Sequence, residues 1–266
     1  MSNPFIPIIA QVLPEPQAGL LSGILFGVRA SIPPDLYQAL ITTGTIHIVA
    51  LSGQNISILV RIISEATLIG GRRFSLVMTF LTILGFLSIV GLEPTIIRAA
   101  IMGTLTLLAV YFGRRDWGLL SLILAASIML LVNPEWIDDL SFQLSFMATL
   151  GIILLASKIE PKAVGFINEI VRETKINLKT TLAAQIFTLP LIFIYFKRIS
   201  LIAPLTNILI GWTISPIMVL GLVTVFLSLI FFPLAALGAW SSWALLTYLI
   251  FIVKVTALIP FAAIGF

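Results

Sequence analysis

Charged residues are scarce in this sequence, and cysteine is absent altogether. Only 10% of its 266 residues are Asp, Glu, Lys or Arg, whereas 59% are hydrophobic and the mean hydropathy is +1.16. Soluble domains are about one quarter charged, so this chain has too little polar surface to cover a soluble globule of its size. The composition therefore excludes the soluble classes and indicates a single domain embedded in a lipid bilayer.

The residue types and motifs of most catalytic and metal sites are also missing. Without cysteine there is no disulfide and no thiolate ligand, and the single histidine, His47, cannot build the usual multi-histidine metal site alone. The sequence contains no Walker A motif, no nucleophile-elbow motif and no pair of intramembrane aspartates. We therefore expect no metal, no cofactor and no enzymatic activity.

Apolar stretches of about 17 to 25 residues, the length that crosses a bilayer as a helix, recur along the chain. The clear ones are 74–92, 95–112, 117–132, 139–157, 180–196 and 239–259. Two more are atypical, because 46–69 contains a polar cluster and 200–232 is interrupted by Pro204, Gly211 and Pro216. The sequence therefore predicts an all-α, polytopic membrane helical bundle that includes broken or re-entrant helices.

The remaining segments are a lead-in and loops. Residues 1–45 contain a short apolar segment and an amphipathic piece, so we expect an amino-terminal lead-in at the membrane interface, followed by a transmembrane domain over 46–266. The charged segment 158–179 is expected to be an interfacial helix and loop, and the acidic pair 138–139 to cap the next helix. Basic and acidic loops alternate along the chain, which predicts that the basic loops are cytoplasmic.

Polar residues collect in the stretch HIVALSGQNISILVR, which runs from His47 to Arg61. On an unbroken helix, His47, Gln54 and Arg61 are seven residues apart and share one face, with Glu65 four residues further along. This face must meet other helices or water, because unsatisfied polar groups are costly in hydrocarbon. One interpretation is a polar seam that joins helices, with an ion pair between Arg61 and Glu65.

The second interpretation of this stretch is a pore or substrate path. Gly53, beside Ser52, loosens the helix where Gln54 and Asn55 offer both donors and acceptors, as happens in cavity-lining helix breaks. A catalytic pair of His47 and Ser52 is not expected. Five residues on a helix place them about 140° apart, so the two side chains do not meet.

Other apolar stretches carry polar faces of the same kind. Two sets of residues repeat at helical spacing: Ser141, Ser145 and Thr149, and Thr181, Gln185 and Thr188. Arg98 lies in apolar sequence just after Pro94, and a lone buried guanidinium is costly. It therefore needs either a partner or water inside the membrane, or a position from which it reaches the interface.

Three blocks of sequence carry a resemblance to a known family. They are TGTIHIVALSGQNISIL, then EPTIIRAAIMGTLTLLAVYFGRR with NPEWIDDLSFQLSFMATLGI, and finally QIFTLPLIFIYFKRISLIAPLTNILI. In order and spacing they resemble the competence domain of the ComEC family over nearly the whole chain, from about Leu20 to the end. The resemblance implies a multi-pass channel that carries single-stranded DNA across the bacterial cytoplasmic membrane during natural transformation.

The resemblance also implies which side chains belong to a DNA path. The family's characteristic polar positions match His47 through Asn55, Arg98, Gln143, Ser145 and Asn207, although Asn55 stands where many members have histidine. With the polar faces described above, the candidate substrate-pathway residues are His47, Ser52, Gly53, Gln54, Asn55, Arg61, Arg98, Gln143, Ser145, Gln185 and Asn207. The intramembrane cations available to phosphates are Arg61, Arg98 and Lys254.

The expected partners are single-stranded DNA, the lipid bilayer and other competence proteins that supply a DNA receptor, motor or nuclease on separate chains. Full-length family members usually add an OB-like domain and a metallo-β-lactamase-like domain; this sequence contains neither, so we expect no DNA hydrolysis by that route. No oligomeric state follows from the sequence.

Two other function classes stay open. A secondary transporter of a small solute or ion is the main alternative, because transporters also place broken helices and polar residues near the midplane of the membrane. An intramembrane hydrolase would need a reactive Ser52 or a neighbouring serine.

Overall fold

The computed structural model describes residues 5–49, 53–91, 93–113, 117–156, 166–230, 232–260 and 262–265. Regular structure in these residues is helical, apart from one pair of three-residue strands. Four described helices are long and apolar enough to cross a membrane: Arg72–Val90, Lys175–Tyr195, Ala203–Ser228 and Gly238–Ala257. The protein is therefore an all-α, multi-pass membrane protein, as the sequence predicts.

The helices follow one another with short connections. In chain order they are α1 (Ile6–Val12), α2 (Gln17–Phe26), α3 (Pro34–Thr42), α4 (Gly53–Thr67), α5 (Arg72–Val90), α6 (Pro94–Tyr111), α7 (Gly118–Val132), α8 (Leu140–Gly151), α9 (Phe166–Phe196), α10 (Ala203–Ile230) and α11 (Phe232–Ala257). Short 3-10 turns occupy Ile46–Ile48, Leu68–Gly70 and Pro134–Asp138, and a π segment, Ile152–Ala156, continues α8. Strands β1 (Arg198–Ser200) and β2 (Ala263–Gly265) pair antiparallel.

The chain forms two compact units, and each has its own packing. The central unit comprises residues 51–150, in which α4 packs against α5 and α6, and α6 packs against α5 and α7. The split unit comprises residues 1–50 and 151–266. In the split unit α10 packs along α11, and these two helices also contact α2.

Helix α4 begins at Gly53, so His47 does not lie on it. His47 belongs to the separate 3-10 turn Ile46–Ile48, and residues 50–52 lie outside the described residues. His47 and Arg61 therefore belong to different elements, in keeping with the predicted break in 46–69, and the shared face that an unbroken helix would give them does not form. Glycine destabilises a helix interior by about 1 kcal/mol relative to alanine, which favours Gly53 at a helix end.

Helix α10 runs unbroken through a proline. It spans Ala203–Ile230 with Pro216 inside, so the predicted interruption of 200–232 is wrong. Proline removes one backbone N–H from the helix and normally breaks it. Membrane helices tolerate proline because neighbouring helices and local adjustments of the backbone satisfy the freed carbonyl group, and α10 has such a neighbour in α11.

Helix α9 is also longer than the sequence predicts. It spans Phe166–Phe196 as one helix, whereas the sequence predicts a separate interfacial helix and loop over 158–179. Residues 157–165 lie outside the described residues, but the charged residues from 166 onward form the first turns of a membrane helix. Its 31 residues extend about 46 Å, more than the roughly 30 Å of the hydrocarbon core, so charged turns can continue into water.

Helix α2 is a buried helix of the split unit. All ten of its residues are buried, and it packs against α1, α10 and α11. Small residues make this possible, since Gly221 of α10 lies against Leu21 and Gly23 lies against Val49. This burial is by protein, so the predicted position at the membrane interface and the domain boundary at residues 45 and 46 both stay predictions.

Helix α9 approaches the preceding helix very closely at Gly151. A Cβ atom at this position would run into the carbonyl oxygen of Ala183 and the ring of Phe187. Glycine therefore allows the end of α8 and the π segment after it to pack with their backbone against the backbone of α9.

Candidate functional site

Arg98 lies on α6 and is buried there among apolar neighbours. Helix α6 begins at Pro94, whose fixed backbone angle and missing N–H suit the first position of a helix. One turn later, Arg98 keeps 7% of its surface exposed, and Ile96 and Ala99 beside it are buried too. A charged side chain among apolar helices is costly unless polar groups surround it, so the groups around Arg98 define the site.

Every hydrogen-bond partner that Arg98 has in the described part of the chain is electrically neutral. Its Nε donates to Oγ of Ser145 at 2.9 Å, its Nη1 donates to Oγ1 of Thr149, and Nη1 also lies 3.7 Å from Sδ of Met102. The guanidinium carbon lies 5.9 Å from the centre of the Phe146 ring, within the range of a cation–π contact. Two hydroxyls, one thioether and one aromatic ring therefore replace water around this cation.

Helix α8 directs both hydroxyls toward Arg98. Ser145 and Thr149 are four residues apart, so they lie on one face of the helix. Asp139 starts the helix by accepting a hydrogen bond from the Phe142 N–H at 2.8 Å, which confirms the predicted cap. The Thr149 hydroxyl donates to the Ser145 carbonyl at 2.9 Å, which leaves its lone pairs to accept from Arg98.

The guanidinium retains donors that its described neighbours do not use. Nη2 has no hydrogen-bond partner among the described residues, and no carboxylate among them forms an ion pair with Arg98. Arginine carries five N–H groups in a planar fork that matches phosphate oxygens. The site is thus a positive charge oriented by neutral groups, with N–H groups left over for an anion.

The other predicted residues of α4 lie in different settings. Asn55 is buried, whereas Arg61 is exposed and its Nε donates to Oε1 of Glu65 at 3.0 Å. This contact confirms the predicted pair, and it neutralises Arg61. Gly53 is the first residue of α4, while Ser52 and the side chain of Gln54 lie outside the described residues.

The remaining predicted residues have other partners or belong to the split unit. Gln143 donates from Nε2 to the Ile137 carbonyl at 2.8 Å and so fixes the turn before α8. His47, Gln185 and Asn207 lie in the split unit, where His47 is exposed and its Nδ1 lies 3.1 Å from the Gly44 carbonyl oxygen. Gln185 on α9 and Asn207 on α10 are half-buried. Arg98 and Ser145 are two predicted residues that hydrogen-bond directly to each other.

Several residues of the site are missing from the predicted set. Thr149 continues the four-residue interval of Ser145, and Met102 follows Arg98 by one helical turn, so both carried a readable signal. The ion pair between Lys254 and Asp35, by contrast, had no readable signal in the sequence. Lys254 of α11 donates to Oδ2 of Asp35 at 2.7 Å across a separation of 219 residues, and this hydrogen bond lowers the pKa of Asp35.

Comparisons with known proteins identify relatives of this chain. Residues 24–266 match the family described as "Competence protein". ComE operon protein 3 of Bacillus subtilis (strain 168) is 25% identical over 206 residues, which cover 74% of this chain and 25% of that protein. The chain therefore spans about a quarter of the length of this curated relative. No solved structure matches the chain.

Proposed function

The chain belongs to the competence protein family, and on that premise we propose that it forms a membrane channel through which single-stranded DNA enters the bacterial cytoplasm during natural transformation. The membrane in this proposal is the cytoplasmic membrane. The observation that carries the proposal is Arg98, a buried guanidinium whose described partners are all neutral.

A DNA strand makes a specific electrostatic demand on a membrane path. Each nucleotide brings one negative phosphate, so a low-dielectric path needs positive charge that no carboxylate has already neutralised. Arg98 supplies such a charge, and its unused Nη2 group can donate to a phosphate oxygen. One guanidinium held by two hydroxyls makes a weak contact, which lets the next phosphate replace the first.

The other two intramembrane cations named above differ from Arg98. Arg61 pairs with Glu65, and Lys254 pairs with Asp35. An ion pair has no net charge, so it attracts a polyanion much less than a lone cation does. This contrast supports Arg98, more than Arg61 or Lys254, as the contact for phosphates.

The proposed channel needs other proteins. Nothing in the sequence resembles a P-loop motor, so we propose that a DNA receptor, a motor or pulling protein, and a nuclease act from separate chains or domains. The curated relative is about four times longer than the matched part, which leaves room for such functions there. We propose no catalytic role for the residues described above.

One argument for the rival function, secondary transport of a small solute, was the predicted helix break in 200–232. Transporters typically bind their substrates at discontinuous helices near the midplane. Within the stretch 200–232, which the sequence predicts to be discontinuous, residues 203–230 form the continuous helix α10. The DNA channel therefore remains the better account of a buried cation with neutral partners.

The test is DNA entry in competent cells that depend on this chain for uptake. Labelled transforming DNA is supplied to cells making the wild type, Arg98→Ala, Arg98→Lys or the matched control Arg61→Ala. Loss of a charged hydrogen bond corresponds to about 1.5 to 3 kcal/mol, so we expect Arg98→Ala to lower entry by roughly 10- to 100-fold. Arg98→Lys should retain part of the uptake because it keeps the charge, and Arg61→Ala should retain nearly all of it.

Three results would contradict the proposal at equal amounts of inserted protein. Unchanged uptake with Arg98→Ala would remove Arg98 from the path. An equal loss with Arg61→Ala would show that uptake does not distinguish the unpaired charge of Arg98 from the paired charge of Arg61. If deletion of the whole chain leaves uptake unchanged, the channel hypothesis fails for this protein and the solute transporter takes its place.

A further inference from the structure

A second cationic feature lies at one end of the central unit, about 20 Å along α6 from Arg98. Here α4 ends, α5 begins and α6 ends, and we call this region the arginine end. Two hydrogen bonds hold it together: Arg73 Nε donates to the Tyr111 hydroxyl at 3.2 Å, and the Ser75 hydroxyl donates to the Ser64 carbonyl at 2.9 Å. The ends of three helices are therefore close neighbours.

Large apolar side chains surround the arginine end and are exposed. Ile69, in the turn between α4 and α5, has 97% of its surface exposed, and Trp117, just before α7, has 70%. Leu68, Phe74 and Phe112 are exposed as well. Apolar surface in water costs about 25 cal/mol per Å², so this ring of side chains favours a partner with apolar chains.

The same end carries positive charge without compensation. Arg72 and Arg73 are exposed, and neither forms an ion pair with a carboxylate within the described ranges. Arg61, on the last turns of α4, is neutralised by Glu65. The net charge of this end is therefore positive, and it suits an anion.

The position of Arg72 indicates which class of anion the arginine end binds. The membrane-crossing helix α5 starts at Arg72, so this residue lies where the hydrocarbon core gives way to the head-group layer. An anionic phospholipid offers both a phosphate for the arginines and acyl chains for the ring around them. A nucleic acid would satisfy the arginines but leave the aliphatic side chains Leu68 and Ile69 uncovered.

We propose that the arginine end is a binding site for an anionic phospholipid. The phosphate oxygens of its head group accept hydrogen bonds from Arg72 and Arg73, and its acyl chains lie against Phe74 and the neighbouring apolar residues. The Tyr111 hydroxyl accepts from Arg73, so Tyr111 positions that guanidinium. The site fixes the depth of the central unit in one leaflet, and it does not depend on the DNA path.

The test measures lipid retention by the purified full-length chain. The protein is exchanged into micelles with phosphatidylglycerol or phosphatidylcholine as the probe, and bound lipid is counted by native mass spectrometry. A basic residue near an anionic surface is worth about 1 kcal/mol, so Arg72→Gln with Arg73→Gln should weaken phosphatidylglycerol binding about 30-fold. Arg61→Gln with Glu65→Gln, the matched control that removes both halves of a neutral pair, should leave it unchanged, and phosphatidylcholine should not be retained.

A single substitution keeps the test independent of folding. Arg72 makes no side-chain hydrogen bond among the described residues, so Arg72→Gln alone should leave the fold intact and weaken binding about fivefold. Tyr111→Phe should give a smaller loss, because it frees Arg73 without removing its charge.

Opposite results would overturn the proposal. Equal retention of phosphatidylglycerol by the wild type and the double variant would remove the arginines from the site. Equal retention of phosphatidylcholine would mean ordinary apolar contact. If inorganic phosphate or a single-stranded oligonucleotide displaces the lipid at low concentration, the site is a general anion or nucleic-acid site and not a lipid site.

Discussion

Arg98 in the central unit and Lys254 in the split unit are both cations on membrane helices, yet their surroundings differ. Arg98 is buried and bonded to the hydroxyls of Ser145 and Thr149. Lys254 has 47% of its side chain exposed and lies 2.7 Å from the carboxylate of Asp35. The neutral partners of Arg98 orient its positive charge without neutralising it, whereas Asp35 neutralises the charge of Lys254. Position in a membrane helix therefore does not by itself reveal the role of a cation.

The difference has an energetic side. A buried charge without an opposite charge destabilises a fold, and apolar replacements of buried ionic groups are often neutral or stabilising. An exposed ion pair contributes little in either direction. A residue such as Arg98 is thus costly for stability, whereas Lys254 is nearly neutral, and this contrast can be measured.

The largest effect is expected when the hydroxyls around Arg98 are removed. Ser145→Ala with Thr149→Val leaves the buried guanidinium without its two hydroxyl partners, so we expect a loss of about 3 to 5 kcal/mol in the free energy of unfolding. Unfolding in detergent micelles measures this loss.

Matched controls exist on the same two helices. Ser141 is an exposed serine one turn before Ser145, and the Thr104 hydroxyl donates within α6 to the Ala100 carbonyl. Ser141→Ala with Thr104→Val should therefore cost far less. A loss equal to that of the first pair would mean that the hydroxyls have no special relation to Arg98.

A smaller effect, in the opposite direction, is expected from Arg98→Met. This change removes the buried charge but keeps an unbranched side chain, so the free energy of unfolding should stay the same or rise by about 1 kcal/mol. DNA uptake should fall in the same variant. Stability and function would then change in opposite directions, as they do at residues kept for function.

A mutant cycle sharpens this prediction. With methionine at position 98, Ser145→Ala and Thr149→Val should lower the free energy of unfolding much less, because no buried charge then loses its hydrogen-bond partners. If Arg98→Met strongly destabilises the protein, Arg98 stabilises the fold, and its proposed contrast with Lys254 fails.

The smallest effect concerns the pair of Asp35 and Lys254. The hydrogen bond from Lys254 lowers the pKa of Asp35 below its ordinary value of 3.8. A carboxylate with a lowered pKa contributes stability above its ordinary pKa and loses that contribution as the pH falls through its value in the folded protein. The melting temperature of the wild type should therefore decrease slightly more on acidification than that of Lys254→Met.

Melting curves between about pH 3 and pH 6 would show this difference. Parallel curves for the two proteins would mean that solvent screens the pair completely. Asp35→Asn should behave as Lys254→Met does, since each removes one half of the same pair.

The sequence predicts both halves of the Arg98 site but not their contact. The embedded Arg98 signals a need for a partner, and the four-residue interval of Ser145 and Thr149 signals a polar face. The two signals are 47 and 51 residues apart, and helical periodicity says nothing about which faces of different helices meet. Phe146 lies between the two hydroxyls in sequence, yet as an apolar residue it gave no signal.

The two atypical stretches had different outcomes. The shared face of His47 and Arg61 required one unbroken helix, but His47 lies on a separate 3-10 turn. The break expected at Pro216 assumed that proline ends a helix, but α10 continues through it against α11. For α10, packing against a neighbouring helix decides whether the helix continues through proline, and local sequence carries only part of that information.

The close approach of α9 at Gly151 has a consequence for mutational tolerance. Since any side chain at this position would meet the carbonyl oxygen of Ala183, substitution cannot be absorbed by a rotamer change and requires two helix backbones to separate. In a saturation library scored for membrane insertion and folding, position 151 should accept glycine alone, whereas Gly85, with open space around it, should accept many residues. The substitutions tolerated at position 151 would thus report how tightly these two backbones are packed.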